Sequence, residues 1–453
     1  MAYTGFVVKV EHLRKHSNAD RLQIATFFGN DTIVNLDTKI GDIGVYFPVD
    51  GQLSERFCAV NDLVRRKDEN GKQVGGYLDP DKRNIKALKL RGEKSDGLYL
   101  PITCLADFCK ISNLKVGDTI DTVNGELICQ KYIPKMARTP GAPGSKAAKK
   151  AKTNIAPTFY EHVDTAQLAY NLNAFKPGDT VQLTLKMHGT SGRTGYLPLV
   201  HTKQTWLDKL FHRHGKDYKE YGYITGTRRV VLDGKRSGGF YDSDDFRLAM
   251  AAKFENKLHK GEVVYYEIVG FQGPNGAPIM SQVANSKVKD SEFIKQYGST
   301  TTFSYGCEQD HNYDDENPCC EVYVYRMTMV NEDGDVVEYS PAQIKERCEQ
   351  MGVHTIMEFE TFIIPDMVQL PDDVGSLQEV NAGEYVLRKV EQYFDGPDPI
   401  GKTHVREGVV ARILNRSNFA VYKHKNFSFK VLEGIAKDEA TAPDIEEAQE
   451  ELV

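Results

Sequence analysis

Short runs in which hydrophobic and polar residues alternate dominate the first 130 positions of the chain. A period of two is typical of strands with one buried face, and the Gly, Asn and Asp residues between the runs are typical of turns. The pattern predicts strands over residues 5–10, 22–28, 31–37, 44–49, 84–90 and 97–101. So many short strands in one small region favour a β-barrel over a sandwich.

After residue 180, strand-like and helix-like segments follow one another along the chain. The pattern predicts strands over residues 180–185, 261–270, 321–330 and 407–414, and helices over 244–259, 341–352 and 378–394. This mixture predicts an α+β domain in which antiparallel sheet prevails.

A basic segment rich in Pro and Gly separates the two regions. Residues 139–145, Thr-Pro-Gly-Ala-Pro-Gly-Ser, cannot hold a helix or a central strand, and residues 127–160 carry seven Lys or Arg and no acidic residue. We therefore predict a barrel domain at 1–134, a flexible linker at 135–155, an α+β domain at 156–437 and an acidic tail at 438–453. The linker is either a solvated tether or a salt-sensitive contact to a phosphate backbone.

Composition limits the protein class more than the function. The 453 residues are 40% hydrophobic and 27% charged, which is typical of globular proteins, and the net charge of −7 argues against a uniformly basic surface without excluding a local basic groove. No apolar run approaches the roughly 18 residues of a membrane helix, and the first residues do not resemble a signal peptide. The eight cysteines include no Cys-x-x-Cys pair. Reduced thiols and a cytoplasmic location are expected, in the host cell if the protein is viral.

The segment His16-Ser17-Asn18-Ala19-Asp20-Arg21-Leu22 resembles the His-Pro-Asn-Ala-Asp-x-Leu stretch of tRNA-binding OB modules, with Ser17 in place of proline. The resemblance implies that the predicted barrel is an OB fold whose groove binds nucleic acid. The alternative is that Asn18 and Asp20 only form a turn into the next strand.

Candidate chemistry begins at Lys186. A Lys-x-x-Gly pattern occurs seven times in the chain, so the pattern alone carries no information. Lys186 differs from the others because it ends an apolar strand and is followed by Met187-His188-Gly189-Thr190-Ser191.

This segment resembles the nucleotide-acceptor motif of covalent nucleotidyltransferases, in the Lys-x-His-Gly-Thr form of RNA ligases. Further blocks in the order of that family are Thr227-Arg228-Arg229, Tyr266-Glu267-Ile268-Val269-Gly270, Tyr323-Val324-Tyr325, Arg406-Glu407-Gly408-Val409-Val410 and Tyr422-Lys423-His424-Lys425. An OB domain ahead of the catalytic domain is similar to one group of RNA ligases, the phage and bacterial nick-sealing type.

The resemblance implies that Lys186 attacks the α-phosphate of ATP and carries AMP. A lysine side chain with the ordinary pKa of about 10.4 is rarely neutral at pH 7. The charges of Lys423 and Lys425, a bound Mg²⁺ or Mn²⁺, and desolvation would all disfavour the ammonium form. The same two lysines would hold the α-phosphate, and Glu407 would bind the metal directly or through water.

The remaining motif residues are expected to hold the nucleotide. Glu267, inside an apolar run, would bind a ribose hydroxyl or else form an internal salt bridge. Arg228, with Arg229 as the second choice, would bind the nucleotide or a 5′-phosphate. His188, in the motif turn with Gly189, would orient pyrophosphate or be structural. Tyr325, with Tyr323 as the second choice, would stack on adenine or pack in the core.

These expectations together predict an ATP-dependent RNA ligase that joins 3′-hydroxyl and 5′-phosphate ends through lysyl-AMP and RNA-adenylate, with nicked duplex RNA or an RNA/DNA hybrid as the partner. We expect a monomer that does not bind membranes. Two alternatives stay open, an mRNA-capping guanylyltransferase and a non-enzymatic RNA- or tRNA-binding protein. The sequence contains no P-loop, no Gly-x-Ser-x-Gly elbow and no His-Glu-x-x-His motif.

Overall fold

The chain folds into two compact units in a computed structural model. The structure describes residues 3–67, 69, 73–133, 155–163, 165–204, 206, 215–228, 230–232, 245–366, 368–371 and 377–438. Almost all of the predicted linker and acidic tail lies outside these residues. No helix in the described part of the chain has both the length and the apolar character needed to cross a membrane.

Strands make up most of the regular structure. Between residues 5 and 131 they are β1 Gly5–Lys9, β2 Leu13–Lys15, β3 Leu22–Phe27, β4 Asn30–Asn35, β5 Ile43–Phe47, β6 Gly51–Leu53, β7 Arg65–Lys67, β8 Gln73–Gly75, β9 Ala87–Leu90, β10 Glu93–Asp96, β11 Leu98–Pro101, β12 Thr119–Ile120, β13 Thr122–Val123, β14 Glu126–Leu127 and β15 Cys129–Lys131.

The strands between residues 166 and 425 are β16 Ala166–Gln167, β17 Thr180–Lys186, β18 Thr190–Lys203, β19 Lys216–Gly226, β20 Val231–Leu232, β21 Glu262–Gly270, β22 Val283–Ala284, β23 Thr300–Thr301, β24 Cys320–Val330, β25 Val336–Glu338, β26 His354–Thr355, β27 Glu358–Ile363, β28 Val368–Pro371, β29 Leu377–Val380, β30 Gly408–Ile413 and β31 Ala420–Lys425. The α-helices are α1 Glu55–Val60, α2 Asp245–Ala252, α3 Ser291–Tyr297, α4 Pro341–Met351, α5 Ala382–Glu391 and α6 Phe427–Asp438.

The first unit contains the short predicted strands. A four-stranded sheet (β11-β5-β1-β12) and a three-stranded sheet (β2-β3-β4) are joined by two-stranded pairs. Val45 and Phe47 of β5 and Phe57 of helix α1 belong to one apolar core in this unit. Within the described residues no sheet closes on itself, so the OB barrel stays a prediction.

Three separate segments of the chain build this first unit: residues 1–134, 283–300 and 426–439. The second segment joins the first through an ion pair of 2.8 Å between Lys89 Nζ and Asp290 Oδ2. The third joins it through Lys430, whose ammonium group contacts the buried carboxylate of Asp96 and lies 3.3 Å from Oδ1 of Asn30. The predicted boundary at 134 does not include these two later segments.

His16 has a structural role inside the first unit. Its ring is buried, Nδ1 accepts a hydrogen bond of 3.1 Å from the backbone N–H of Asn18, and Nε2 lies 3.2 Å from the carbonyl oxygen of Leu90. These contacts require the neutral tautomer with the proton on Nε2. Residues 17–21 form the turn into β3, as the sequence predicts.

Two sheets form the second unit. The five-stranded sheet has the order β16-β31-β30-β17-β27, and the larger sheet has the order β20-β19-β18-β21-β24-β25, with β26 on β24. Most of the pairs are antiparallel, as predicted. The helices α2 and α4 cover the larger sheet, and α5 covers the smaller one.

Two predicted helices are shorter than the periodicity indicated. The prediction of a helix over 378–394 was wrong at its start, because 377–380 form strand β29, which pairs with β28. Helix α5 begins only after Asn381, which forms a capping box with Glu384. The predicted helix over 244–259 ends at Ala252. The next residues form i→i−3 turns, and Asn256 adopts φ = 59°, which ends helical geometry.

A buried ion pair holds α4 against the larger sheet. The Glu262 carboxylate is fully buried and accepts hydrogen bonds from the guanidinium of Arg347, from the hydroxyl of Tyr339 and from the backbone N–H of His259. Burial alone would raise the pKa of Glu262, but the hydrogen bonds from Arg347 and the other donors lower it.

We predict that Glu262→Gln destabilises the protein by about 3–5 kcal/mol, because it leaves the poorly exposed Arg347 without its counter-charge. Since the folded-state pKa of Glu262 is lowered, its contribution is present above the ordinary value of about 4.3 and is lost as the pH falls through the lowered value. Urea unfolding at pH 7 and in acid measures both effects. The matched control is Glu308→Gln, which removes an exposed partner of His311 and should cost at most about 1 kcal/mol.

Candidate active site

Three neighbouring strands bring residues from distant parts of the sequence into one row. In the five-stranded sheet Lys186 at the end of β17 pairs with Gly408 of β30, and Gly408 pairs with Lys425 of β31. Gly408 is required at the centre of this row, because a Cβ atom there would lie 2.1 Å from the carbonyl oxygen of His424. Lys423 and Lys425 project from the same side of β31, since side chains alternate along a strand.

Glu407, immediately before β30, is the charge at the centre of this row. Its side chain is fully buried, and Oε1 lies 2.8 Å from Lys186 Nζ and 3.5 Å from Lys425 Nζ. Two ammonium groups therefore share one carboxylate oxygen. The second oxygen, Oε2, is buried and has no hydrogen-bond partner among the described residues. A buried carboxylate oxygen in this state is a suitable ligand for a hard divalent cation.

The turn after Lys186 is held by Glu267 of β21. Oε1 of Glu267 accepts a hydrogen bond of 3.1 Å from the backbone N–H of Gly189, and Oε2 lies 3.4 Å from the Ser191 hydroxyl. Gly189 lies close to β21, because a Cβ atom at this position would lie 2.3 Å from the carbonyl oxygen of Ile268. A side chain at 189 would therefore move the turn, and Lys186 with it, away from the sheet.

Tyr305 supports the same turn from the other side. Its oxygen accepts a hydrogen bond of 2.6 Å from the backbone N–H of His188, whose ring packs edge-on against Phe303. Burial, followed by the negative charges of Asp398 and Glu407, raises the pKa of Tyr305 well above its ordinary value. Its phenol therefore stays protonated. His188 itself is not among the described residues that line the cavity described below, which fits a structural role better than contact with pyrophosphate.

Arg228 is positioned by a buried arginine that sequence analysis did not single out. Arg193 of β18 is buried, lies over the ring of Phe159 at 4.3 Å, and donates to the carbonyl oxygens of Thr227 and Phe159. The Thr227 hydroxyl in turn accepts a hydrogen bond from the backbone N–H of Val230. This network fixes the segment that carries Arg228. Arg229 lies outside the described residues.

A bulge separates the two candidate tyrosines of β24. Val324 pairs with Tyr266 and Arg326 with Tyr265, so Tyr325 is the extra residue. Tyr323 stacks on His354 with ring centres 5.4 Å apart, whereas Tyr325 contacts the ring of His162 at 5.0 Å. Alternation holds as far as Tyr325, since Val322 and Val324 are buried and both tyrosines are half-buried, and it breaks after Tyr325, where Arg326 and Met327 are both buried.

Arg326, which follows Tyr325, is buried and lies between the rings of Tyr265 and Phe419, at 4.7 and 4.5 Å. Its guanidinium pairs with Glu338, with 3.0 Å between Nε and Oε2. Burial lowers the pKa of Arg326, but the hydrogen bonds that it donates to Glu338 and the charge of that carboxylate outweigh burial, so the net shift is upward. Arg326 therefore stabilises the sheet behind Tyr325.

A cavity of about 790 Å³ lies between the two sheets of the second unit. Its charged lining residues include Lys186, Lys423 and Arg412, and Arg412 lies over the ring of Phe419, an aromatic lining residue, at 5.0 Å. Arg412 pairs with Gln182, four residues along the strands from the pair Lys186–Gly408. About 13 Å of strand therefore separates the part of the cavity near Phe419 from the part near Lys186. The lining residues include Lys186, Ser191, Arg228, Glu267, Lys423, His162, Tyr325 and Phe419.

The structure brings the predicted residues together. Lys186, Arg228, Glu267, Tyr325 and Lys423 line the cavity, Glu407 and Lys425 meet the Lys186 amine, and His188 and Gly189 form the supporting turn. Sequence analysis missed four other residues: three lie outside the regular strands and the motifs, and one, in β18, is buried by tertiary contacts that no local pattern indicates. They are His162, Arg193, Tyr305 and Phe419.

No protein-family model and no curated protein matches the sequence. Solved structures do match. A mutant of the Naegleria gruberi RNA ligase with ATP and Mn has a TM-score of 0.53 and 14% identity over 95% of this chain and 98% of that chain. An apo mutant of the same ligase has a TM-score of 0.54 and 15% identity, over 95% and 97%. The same ligase with PPi gives a TM-score of 0.51 and 14% identity over 94% and 97%.

The chain has the fold of these RNA ligase structures. The likeness extends over nearly the whole of both chains, so it includes residues of both compact units.

We predict that Gly408→Ala destabilises the protein by about 1–3 kcal/mol, because the added methyl group would force β30 and β31 apart. The control is Gly434→Ala in helix α6, where a Cβ atom has no neighbour within 4 Å. This substitution should stabilise the helix by about 0.5–1 kcal/mol. Urea unfolding of both variants measures the difference, and equal stabilities would contradict the close packing at Gly408.

Proposed function

We propose that this protein is an ATP-dependent RNA ligase that uses Lys186 as its nucleophile. One observation carries the proposal: the Lys186 amine lies at the edge of a cavity that also contains Arg228, Glu267 and Lys423, and it contacts a buried glutamate that it shares with Lys425. The fold shared with the Naegleria gruberi RNA ligase, solved with ATP and Mn, with AMP and Mn, and with PPi, supports the same reaction class.

The cavity suits ATP at both ends. Lys186, Lys423 and Arg228 offer cationic donors for the phosphates, and Glu267 offers an acceptor for a ribose hydroxyl. Tyr325, with His162 and Phe419 beside it, offers a face on which adenine can stack.

Glu407 is the residue we propose to hold Mg²⁺ or Mn²⁺, because its buried Oε2 has no hydrogen-bond partner in the described part of the chain. When bound, the cation neutralises phosphate charge. Without the cation, the negative charge of Glu407 stabilises the ammonium form of Lys186. This form cannot attack, because only the neutral amine has a free lone pair. Lys425 opposes this effect by placing a second positive charge on the same carboxylate oxygen.

The first step transfers AMP to the protein. The lone pair of Lys186 Nζ attacks the α-phosphorus, the bond from this phosphorus to the bridging oxygen breaks, and pyrophosphate leaves with the electron pair. The attacking nitrogen releases one proton to solvent. Lys423 and Lys425 stabilise the charge on the α-phosphate. The product is a lysyl-AMP phosphoramidate.

Two further steps join the ends. A 5′-phosphate oxygen displaces Lys186 from the AMP and forms RNA-adenylate. A 3′-hydroxyl then attacks the activated 5′-phosphate and releases AMP. We propose nick sealing in duplex RNA or in an RNA/DNA hybrid, as in RNA repair, as the setting for these steps, because the motif order and the β-rich first unit resemble nick-sealing ligases.

We predict that incubation with ATP and Mg²⁺ adds one AMP to the protein and that mass spectrometry maps the adduct to Lys186. Lys186→Ala should lose the adduct. The matched control is Lys295→Ala, which removes the lysine of another Lys-x-x-Gly pattern, at an exposed position in helix α3. This variant should be labelled like the wild type.

Labelling of Lys186→Ala, or an adduct on another residue, would contradict the assignment of the nucleophile. Labelling with GTP and not with ATP would indicate guanylyl transfer instead. A protein that is labelled with ATP but does not seal nicked RNA would retain the first step and refute the proposed substrate.

We further predict that Glu407→Gln lowers the rate of labelling by about 100-fold, because the substitution removes the proposed metal ligand and the shared counter-charge of two lysines. When the labelling rate is measured at increasing Mn²⁺ concentrations, the midpoint of the rise should lie at a higher Mn²⁺ concentration for Glu407→Gln than for the wild type. Glu292→Gln, which changes an exposed carboxylate of helix α3, is the control and should leave the midpoint unchanged.

A further inference from the structure

The hairpin of β18 and β19 extends beyond the layers of the second unit. The two strands pair continuously from Arg193–Gly226 to Lys203–Lys216. Residues 201–203 and 216–220 are exposed, whereas the preceding part of β18 is mostly buried. This end of the hairpin is a two-stranded ribbon with water on both faces, and such a ribbon is only marginally stable by itself.

The two faces of the ribbon differ in chemistry. Cross-strand pairs share a face, so Lys203 with Lys216 and His201 with Tyr218 form one face, which we name the basic face. The rings of His201 and Tyr218 lie 5.5 Å apart. On the opposite face Asp217 accepts a hydrogen bond of 2.5 Å from the Thr202 hydroxyl, and Lys219 pairs with Val200.

Two lysines directly opposite each other repel, and the ribbon has no core to offset this repulsion. Among the cross-strand pairs of the basic face, the nearest one with an acidic residue is Leu199 with Glu220, next to His201 with Tyr218 and away from the lysines. A polyanion placed along the basic face would remove the repulsion. Aromatic rings between cations are also what proteins use to bind the backbone and bases of nucleic acids.

We propose that the basic face binds the sugar–phosphate backbone of the RNA at a distance from the ends that are joined. This inference rests on the proposed function for the identity of the polyanion. His201 and Lys203 project from the same side of β18 as Ser191, which lines the cavity. Ser191 and Lys203 are twelve residues apart, about 40 Å along the strand. The ribbon would therefore contact nucleotides far from the reacting phosphate.

The chain provides its own reporter for this contact. Trp206 is the single tryptophan of the sequence, lies three residues beyond Lys203 and is 72% exposed. Its fluorescence therefore reports on the segment between β18 and β19. We expect the Trp206 emission to change as duplex RNA is added, and half of the change should occur at the RNA concentration that gives half-maximal binding.

The test compares charge reversals on the two faces of the full-length protein. Lys203→Glu should weaken binding of a nicked RNA duplex about tenfold at low salt, and the slope of log affinity against log salt should fall by about one. Lys219→Glu changes the same charge on the opposite face and should leave RNA affinity within about twofold of the wild type.

The stability of the Lys203→Glu variant separates binding from folding. The substitution replaces a like-charged cross-strand pair with an oppositely charged one, so the Tm should be unchanged or higher while RNA affinity falls. A purely structural role of Lys203 would move both quantities in the same direction.

Three outcomes would overturn the inference. The first is that Lys203→Glu and Lys219→Glu have equal effects on RNA affinity, and the second is that neither has an effect. The third is that Lys203→Glu abolishes binding of an acidic peptide and leaves RNA binding intact. The last would identify a protein partner instead. Labelling of the wild-type protein with ATP, which needs no RNA, is measured in parallel. Absent labelling would refute the proposed function, whereas the RNA affinities of the two variants would still decide the role of the ribbon.

Discussion

The candidate site depends on one buried carboxylate. Glu407 cannot be buried alone as an anion, and the ammonium groups of Lys186 and Lys425 compensate its charge. These three residues lie on or beside adjacent strands. The correct strand register therefore brings their charges together, and the pairing of the charges favours that register. A shift of one residue in any of the strands would move a charged side chain to the apolar side of the sheet.

The same arrangement explains why several residues around the site have no freedom to change. Gly408 brings two strands together, Gly189 brings the turn onto β21, and Tyr305 and Glu267 hold the backbone on both sides of that turn. Tyr305 and Glu267 each accept a hydrogen bond from a backbone N–H of this turn. The position of the Lys186 amine is therefore determined by Gly189, Glu267 and Gly408 of the recognisable motifs and by Tyr305, which lies outside them.

Most of the strands that alternation of residue types predicted match the structure to within about two residues, as at β17 and β21, because a strand with one buried face has an alternating sequence. The long strands β18 and β19 were not predicted. Order along the chain also predicted which motifs would meet. The pairing of Lys186 with Glu407 spans more than 200 residues, and no local pattern encodes it. The bulge at Tyr325 and the strand before Asn381 were not predicted either, since both arise from pairing with a distant strand.

The three-segment construction of the first unit limits how this protein can be divided. A fragment that ends at residue 134 would lack α6, and the buried carboxylate of Asp96 would lose the ammonium group of Lys430. Excision or exchange of this unit at that position therefore removes part of its own structure. A circularly permuted gene, in which the codons for 426–438 precede those for residue 3, would keep two of the three segments contiguous and is the more suitable starting point for isolating the unit.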